Sequence, residues 1–331
     1  MRPVASLRAV PDSPRARRRG RECPLIALLL VSLGFGDVVS AQTGCADGLD
    51  ALAQSLRWTP TTPSSGTLFK VLVGAGSADR TERARMVSLA TRAALSVAGE
   101  PLHFQRAGDS LFALAAVPID STVGVTIDVR CGDGMPATAR VSATPGEYRL
   151  ERLRVAPRFS AAPDSALAQR MRREAAQAAE VSRASHDTPA MWLVTPFRVP
   201  RPSRITSGFG GGRMFNGIVT SRHMGTDYAG TVGAPVVATN RGIVRLVGAF
   251  YLGGNVIYLD HGAGVVSAYL HLSQQLVAVG DTVRAGALIG RVGATGRVTG
   301  PHLHFIARYG TITIDPASLM ASTARDTGRT R

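Results

Sequence analysis

Residues 253–275 read GGNVIYLDHGAGVVSAYLHLSQQ. Two short apolar runs, 256–259 and 265–272, are rich in β-branched and aromatic residues and are bounded by Gly253-Gly254 and His261-Gly262. Runs of that length closed by glycine predict strands joined by tight turns, because glycine takes the backbone conformations a turn requires. The same texture extends outward. Runs at 235–238, 242–247 and 288–292 are punctuated by Gly280-Asp281 and Gly293, and together they predict a compact antiparallel β domain over residues 190–322.

Upstream, residues 66–157 break into further short apolar runs separated by Gly, Pro, Asp and Ser, as in an Ig-like β-sandwich. The candidate strands are 68–73, 95–97, 111–117, 123–129 and 148–155; residues 79–94 fit helix or strand. Behind Pro163 and Asp164, the residues Leu167, Met171, Ala175 and Ala178 recur at helical spacing and predict a connecting helix. The expected fold is therefore mainly β. An accessory sandwich over 42–157 and a second β domain over 190–322 are joined by a helical connector over 158–189, with a basic tail at 323–331.

Five of the seven histidines lie between positions 223 and 304. In HLHF, His302 and His304 are two apart in a strand-like run, so their side chains leave the same face. In HMGTD, His223 and Asp227 are four apart, and Gly225 between them favours a loop entering a strand over a helix. Two imidazoles and a carboxylate make a donor set that zinc accepts, with a fourth position left for water. His261, in DHG, reads as a hairpin turn residue, and His103 and His186 as structural or exposed. The glycines 210–212 are followed by no Lys-Ser/Thr pair, so they do not form a phosphate loop.

The pieces SGFGGGRMFNG, HMGTD, GAPVVATNRGIV, GNVIYLDHG, AYLHLS and VGDTVRAGALIGRVGATGRVTGPHLHF, ending in Asp315-Pro316, follow one another from Ser207 to Leu319. Their order and spacing resemble the LytM-type, or lysostaphin-like, zinc metalloendopeptidases over about a third of the chain. The resemblance implies that His223, Asp227 and His304 hold one Zn2+, and that His271 and His302 match the family's catalytic histidines. Imidazole chemistry then assigns His271 the base role and His302 the oxyanion-stabilising role, with the exchange of the two left open. Asn216 falls in a stretch the family uses near the cleft. The implied function is hydrolysis of peptidoglycan cross-link peptides, at a D-alanyl to diaminopimelate bond. The implied alternative is a non-catalytic relative that activates cell-wall amidases, against which all five residues count.

The first 41 residues have the layout of an export signal: Arg15, Arg17, Arg18, Arg19 and Arg21, an apolar run over 24–35, and small residues up to Ala41. The run is shorter than the about 20 residues a bilayer span needs, so no stable membrane span is expected after cleavage. Export to the periplasm or cell envelope makes Cys45 and Cys131 a disulfide pair. The net charge of +15 is nearly all arginine, Lys70 being the only lysine. With no basic cluster interleaved with aromatics, nucleic acid is not an expected partner, and the charge suits an anionic wall.

Overall fold

The computed structural model describes residues 47–217 and 219–324. The expected signal segment, Cys45 and residues 325–331 of the expected basic tail lie outside the described residues, while Thr323 of that tail ends the helix Pro316–Thr323; Cys131 is disulfide-bonded. The chain is mainly β, arranged in four sheets among the described residues.

Two four-stranded antiparallel sheets build the amino-terminal part. One runs Arg57–Thr59, Leu68–Val73, Ser110–Ala116, Gln105–Ala107, and the other Glu100–Pro101, Ala94–Val97, Val125–Arg130, Ala137–Val141. Their facing side chains share one core with two helices, Leu49–Ser55 and Arg80–Ala90. The second helix settles the ambiguous 79–94 segment. Asp79 caps it by accepting from the Thr81 amide at 2.8 Å, and Met86, Val87, Leu89 and Ala90 turn inward.

The strand Ser110–Ala116 is buried on both faces. Leu111, Ala113 and Ala115 enter the amino-terminal core. Phe112, Leu114 and Ala116 alternate with them and pack with Trp192, Phe197, Val265, Ala307 and Tyr309 in a core shared with the carboxy-terminal part. That double burial is why residues 111–117 read as a continuous apolar run without polar alternation.

The carboxy-terminal part is a ten-stranded sheet. Its antiparallel path runs Ile205–Ser207, Thr226–Ala229, His302–Tyr309, Val265–Gln275, Gly254–Gly262, Gly242–Phe250, Thr282–Val283. One face covers a core of Tyr228, Tyr269, Leu272, Leu303 and Phe305 among others. The helix Ser165–Ala184 packs against the sheet through Ala178 and Val181, which meet Val256, Tyr258, Val266 and Ala268. Only the carboxy half of this helix is anchored so; Ala175, of the expected apolar stripe, is exposed.

The expected strand at 148–155 departs from its assignment. Leu150–Leu153 joins neither amino-terminal sheet; it pairs in parallel with Gly212–Phe215, which pairs with Val219–Arg222 in a three-stranded sheet beside the histidines. Its burial pattern is exposed and intermediate throughout, so no apolar face ties it to the sandwich core.

Candidate metal centre and cleft

Asp227 and His304 stand directly opposite each other on neighbouring antiparallel strands, while His223 lies in the turn between Val219–Arg222 and Thr226–Ala229. Three atoms converge there. His223 Nε2 is 3.0 Å from Asp227 Oδ1, His304 Nδ1 is 2.7 Å from that oxygen, and the two nitrogens are 3.0 Å apart. Tetrahedral zinc with ligands near 2.0–2.1 Å separates its donors by about 3.3 Å, so the set fits the ion after opening by a few tenths of an ångström. No other cluster of this kind occurs among the described residues. The loop is held close by Gly225, where a Cβ would stand 2.6 Å from the Phe305 carbonyl oxygen and 2.7 Å from the His304 ring.

Each of these side chains is aimed by a second contact. His223 Nδ1–H donates to the Gly208 carbonyl at 2.6 Å, which leaves Nε2 free for a metal. Asp227 offers Oδ1 to the centre while Oδ2 accepts from Arg213 at 2.6 Å. Arg213 is itself gripped by Glu151, whose carboxylate accepts from its Nε at 3.2 Å and from the Ser207 hydroxyl at 2.8 Å. Burial works against the charge on Asp227, yet its close contacts with His223 and His304 hold the carboxyl far below the usual carboxylate range. Burial lowers His304 to about 4, so it presents a neutral imidazole.

His271 and His302 border the same centre. Ring centroids of His271 lie 5.0 Å from His302 and 5.8 Å from His304. His302 alternates with His304 on one strand face, as their spacing predicts. His271 arrives by a different device. Asn255 opposes Leu272 and Ile257 opposes Tyr269, so the strand Val265–Gln275 carries one extra residue there. At that bulge His271 takes φ 63°, the left-handed region. The bulge lets both Tyr269 and Leu272 face the core while the histidine between them turns to the cleft. His271 Nδ1–H donates to the Thr295 carbonyl at 2.8 Å and His302 Nδ1–H to the Gly300 carbonyl at 2.8 Å. Each therefore keeps Nε2 as its unspent nitrogen. Burial first, then the neighbouring His304 and His302, lowers His271 to about 3 and keeps it neutral.

A cleft of about 390 Å³ runs over Asp227, His271 and His302 and is walled by Glu151, Arg213, Phe215 and Arg297. A smaller recess of about 160 Å³ opens on His223, His271 and His304. A larger hollow, about 890 Å³, lies between the Ser165–Ala184 helix and the Gly242–Phe250 strand, and none of the five site residues lines it.

Residues 221–316 match the model of peptidase family M23. That stretch is a peptidase M23 domain. It carries all five site residues. Among curated proteins the chain is 45% identical to the peptidoglycan DD-endopeptidase ShyC of Vibrio cholerae over 83 residues, 25% of this chain and 19% of that one. It is 43% identical to the DD-carboxypeptidase/endopeptidase Mpg of Neisseria meningitidis over 122 residues, 37% of this chain and 28% of that one. The chain thus spans about a fifth to a quarter of the length of these relatives. A crystal structure of an M23 peptidase from Pseudomonas aeruginosa superposes with a TM-score of 0.58 at 23% identity, covering 82% of this chain and 99% of the other, and so shares the fold.

Other residues land differently from their sequence reading. Asn216 has a structural role: its side chain bonds the Val155 amide and carbonyl at 3.0 Å each and Ser160 at 2.8 Å, which spends both amide hydrogens. His261 lies within the strand Gly254–Gly262, fully buried, with Nδ1 on the Arg241 carbonyl at 2.6 Å and Nε2 on the Ser267 hydroxyl at 2.7 Å. His103 and His186 meet at 2.8 Å, and His186 bonds Glu100 at 2.8 Å. Glu151 was beyond sequence reasoning, since it is brought in from 76 positions before Asp227 by a parallel pairing that no local pattern announces.

Proposed function

We propose that the protein is an exported zinc metalloendopeptidase that hydrolyses peptide cross-links of peptidoglycan in the periplasm or cell envelope. The observation that carries the reading is the convergence of His223 Nε2, Asp227 Oδ1 and His304 Nδ1 within 3.0 Å of one another. In this reading those three residues hold one Zn2+. The relatives' printed names, a peptidoglycan DD-endopeptidase and a DD-carboxypeptidase/endopeptidase, support the substrate class; the D-alanyl to diaminopimelate bond is the one that the family resemblance implies.

A zinc ion held there supplies Lewis acidity to water and to a substrate carbonyl. The protein's own groups do the rest. His271 presents Nε2 to the cleft as a proton acceptor, because its Nδ1–H is spent on the Thr295 carbonyl. His302 is oriented in the same way from the other side by Gly300 and steadies the oxygen on which charge develops, or returns the proton to the leaving amine. Arg213 holds Asp227 in register from behind and takes no part in proton transfer. Residues 1–41 serve as the export signal, 42–157 as the accessory unit and 190–322 as the catalytic unit.

The test uses the full chain. Wild type should carry about one zinc per chain and release cross-link peptides from purified sacculi. Asp227→Ala and His304→Ala should lose zinc and activity together. His302→Ala should keep zinc, measured by atomic absorption, and lose activity by a factor of at least about 10². A wild type that binds zinc and releases no muropeptide sinks the peptidase reading.

A further inference from the structure

Arg297 is a half-buried cation with no acid paired to it among the described residues. Its guanidinium carbon lies 4.0 Å from the centroid of the Phe215 ring. Its side chain has neither a hydrogen bond nor an ion pair among the described residues. Two neighbouring arginines are taken. Arg213 is shared by Glu151 and Asp227, and Arg222 pairs with Asp120. Arg297 lines both the cleft over His302 and the recess over His304, so it stands beside the centre on either side. Burial, and then the charge of Arg213, lower its affinity for its own proton. A guanidinium so placed is stabilised by an anion from outside the chain. Stacking on Phe215 occupies its face and leaves its edge donors for a planar, bidentate acceptor, the geometry of a carboxylate.

We propose that Arg297 is a substrate-specificity residue, which binds the carboxylate borne by the carbon next to the scissile amide nitrogen. The inference rests on the peptidase reading of the same site. In a D-alanyl to diaminopimelate cross-link that carbon carries a free carboxylate, whereas in a neutral bridge or an amidated stem it does not. Arg297 thus selects an acidic acceptor strand. Arg204, exposed at the cleft and likewise without an ion-pair partner among the described residues, adds to the positive field there.

Two cross-linked peptides decide the matter, identical except that this carboxyl is free in one and a carboxamide in the other. Wild type should favour the free acid by about tenfold or more in kcat/KM, since a site built for a charged acceptor rejects the analogue lacking it. Arg297→Gln should bring the ratio close to one, and Arg297→Lys should restore part of it, with zinc content showing that both variants fold. An equal rate on both peptides in wild type, or a ratio unchanged in Arg297→Gln, overturns the proposal. Calorimetric titration of the same peptides into the metal-depleted full chain reads the preference without catalysis. If wild type cuts neither peptide but binds the acid more tightly through Arg297, the peptidase reading fails and the carboxylate site stands; equal binding removes the site as well.

Discussion

At the scale of single residues, the centre depends on where each imidazole spends its first nitrogen. His302 and His304 could be placed on one face from their spacing alone, because a strand alternates without exception unless a residue is inserted. His271 could not. Plain alternation from Tyr269 would send it into the core, and only the bulge, which no residue type in YLHL announces, turns it to the cleft. The buried His261 is likewise invisible to a reading that sees only its neighbours Asp260 and Gly262. Its consequence is a pH dependence of stability. Burial, only partly offset by its bond to the Arg241 carbonyl and by Asp260, lowers it to about 4. The unfolded chain binds a proton near pH 6.5 and the folded chain does not, so stability is greatest above pH 6.5 and is lost as the pH falls toward 4. Between pH 6.5 and 4.5 the loss from this group is about 2 kcal/mol. Urea unfolding at pH 7 and 4.5 should show the difference shrinking by that order in His261→Gln; an unchanged difference would place the acid sensitivity elsewhere.

Among elements, the loop 293–297 and the turn 252–255 interlock around His271. The His271 amide donates to the Gly253 carbonyl at 2.8 Å, and the Asn255 amide donates to the Thr295 hydroxyl at 2.9 Å. At Gly254 (φ 62°) a Cβ would sit 2.4 Å from the Thr295 carbonyl carbon. Gly254→Ala should therefore push Thr295 away and release the Nδ1 of His271, while leaving His223, Asp227 and His304 in place. The expected outcome is full zinc content with kcat/KM down by about 10², the cost of an ångström of misplacement; wild-type activity would show that the loop does not position the histidine. The glycines that make this fit possible were visible in the sequence as turn signals. Which turns they join was not, because the contact bridges some forty positions of chain.

For the whole molecule, the two units are joined by a shared core as well as by a connector. Leu68, Phe112 and Leu114 pack with Trp192, Val265 and Tyr309, and His186 of the connector is hydrogen-bonded to both His103 and Glu100. The sequence disclosed two β-rich stretches with a helix between them, since apolar period and turn residues are local. It could not disclose that the back of one sheet is covered by the other unit. A chain beginning at residue 190 loses Leu68, Phe112 and Leu114 from one core and Ala178 and Val181 from another. Exposing their partners, at about 1.5–3 kcal/mol per large side chain, should lower the melting temperature by about 10 °C or more relative to the full chain. Equal melting by calorimetry would show instead that the carboxy-terminal sheet is self-sufficient.

The parallel strand Leu150–Leu153 also sets an order of assembly. A chain that emerges amino end first presents this strand some sixty residues ahead of Gly212–Phe215, its only partner strand among the described residues, and the last histidine of the centre, His304, comes later still. Every partly emerged chain therefore has a cleft without its full wall or its full set of histidines, and the cleft is complete only once His304 has arrived.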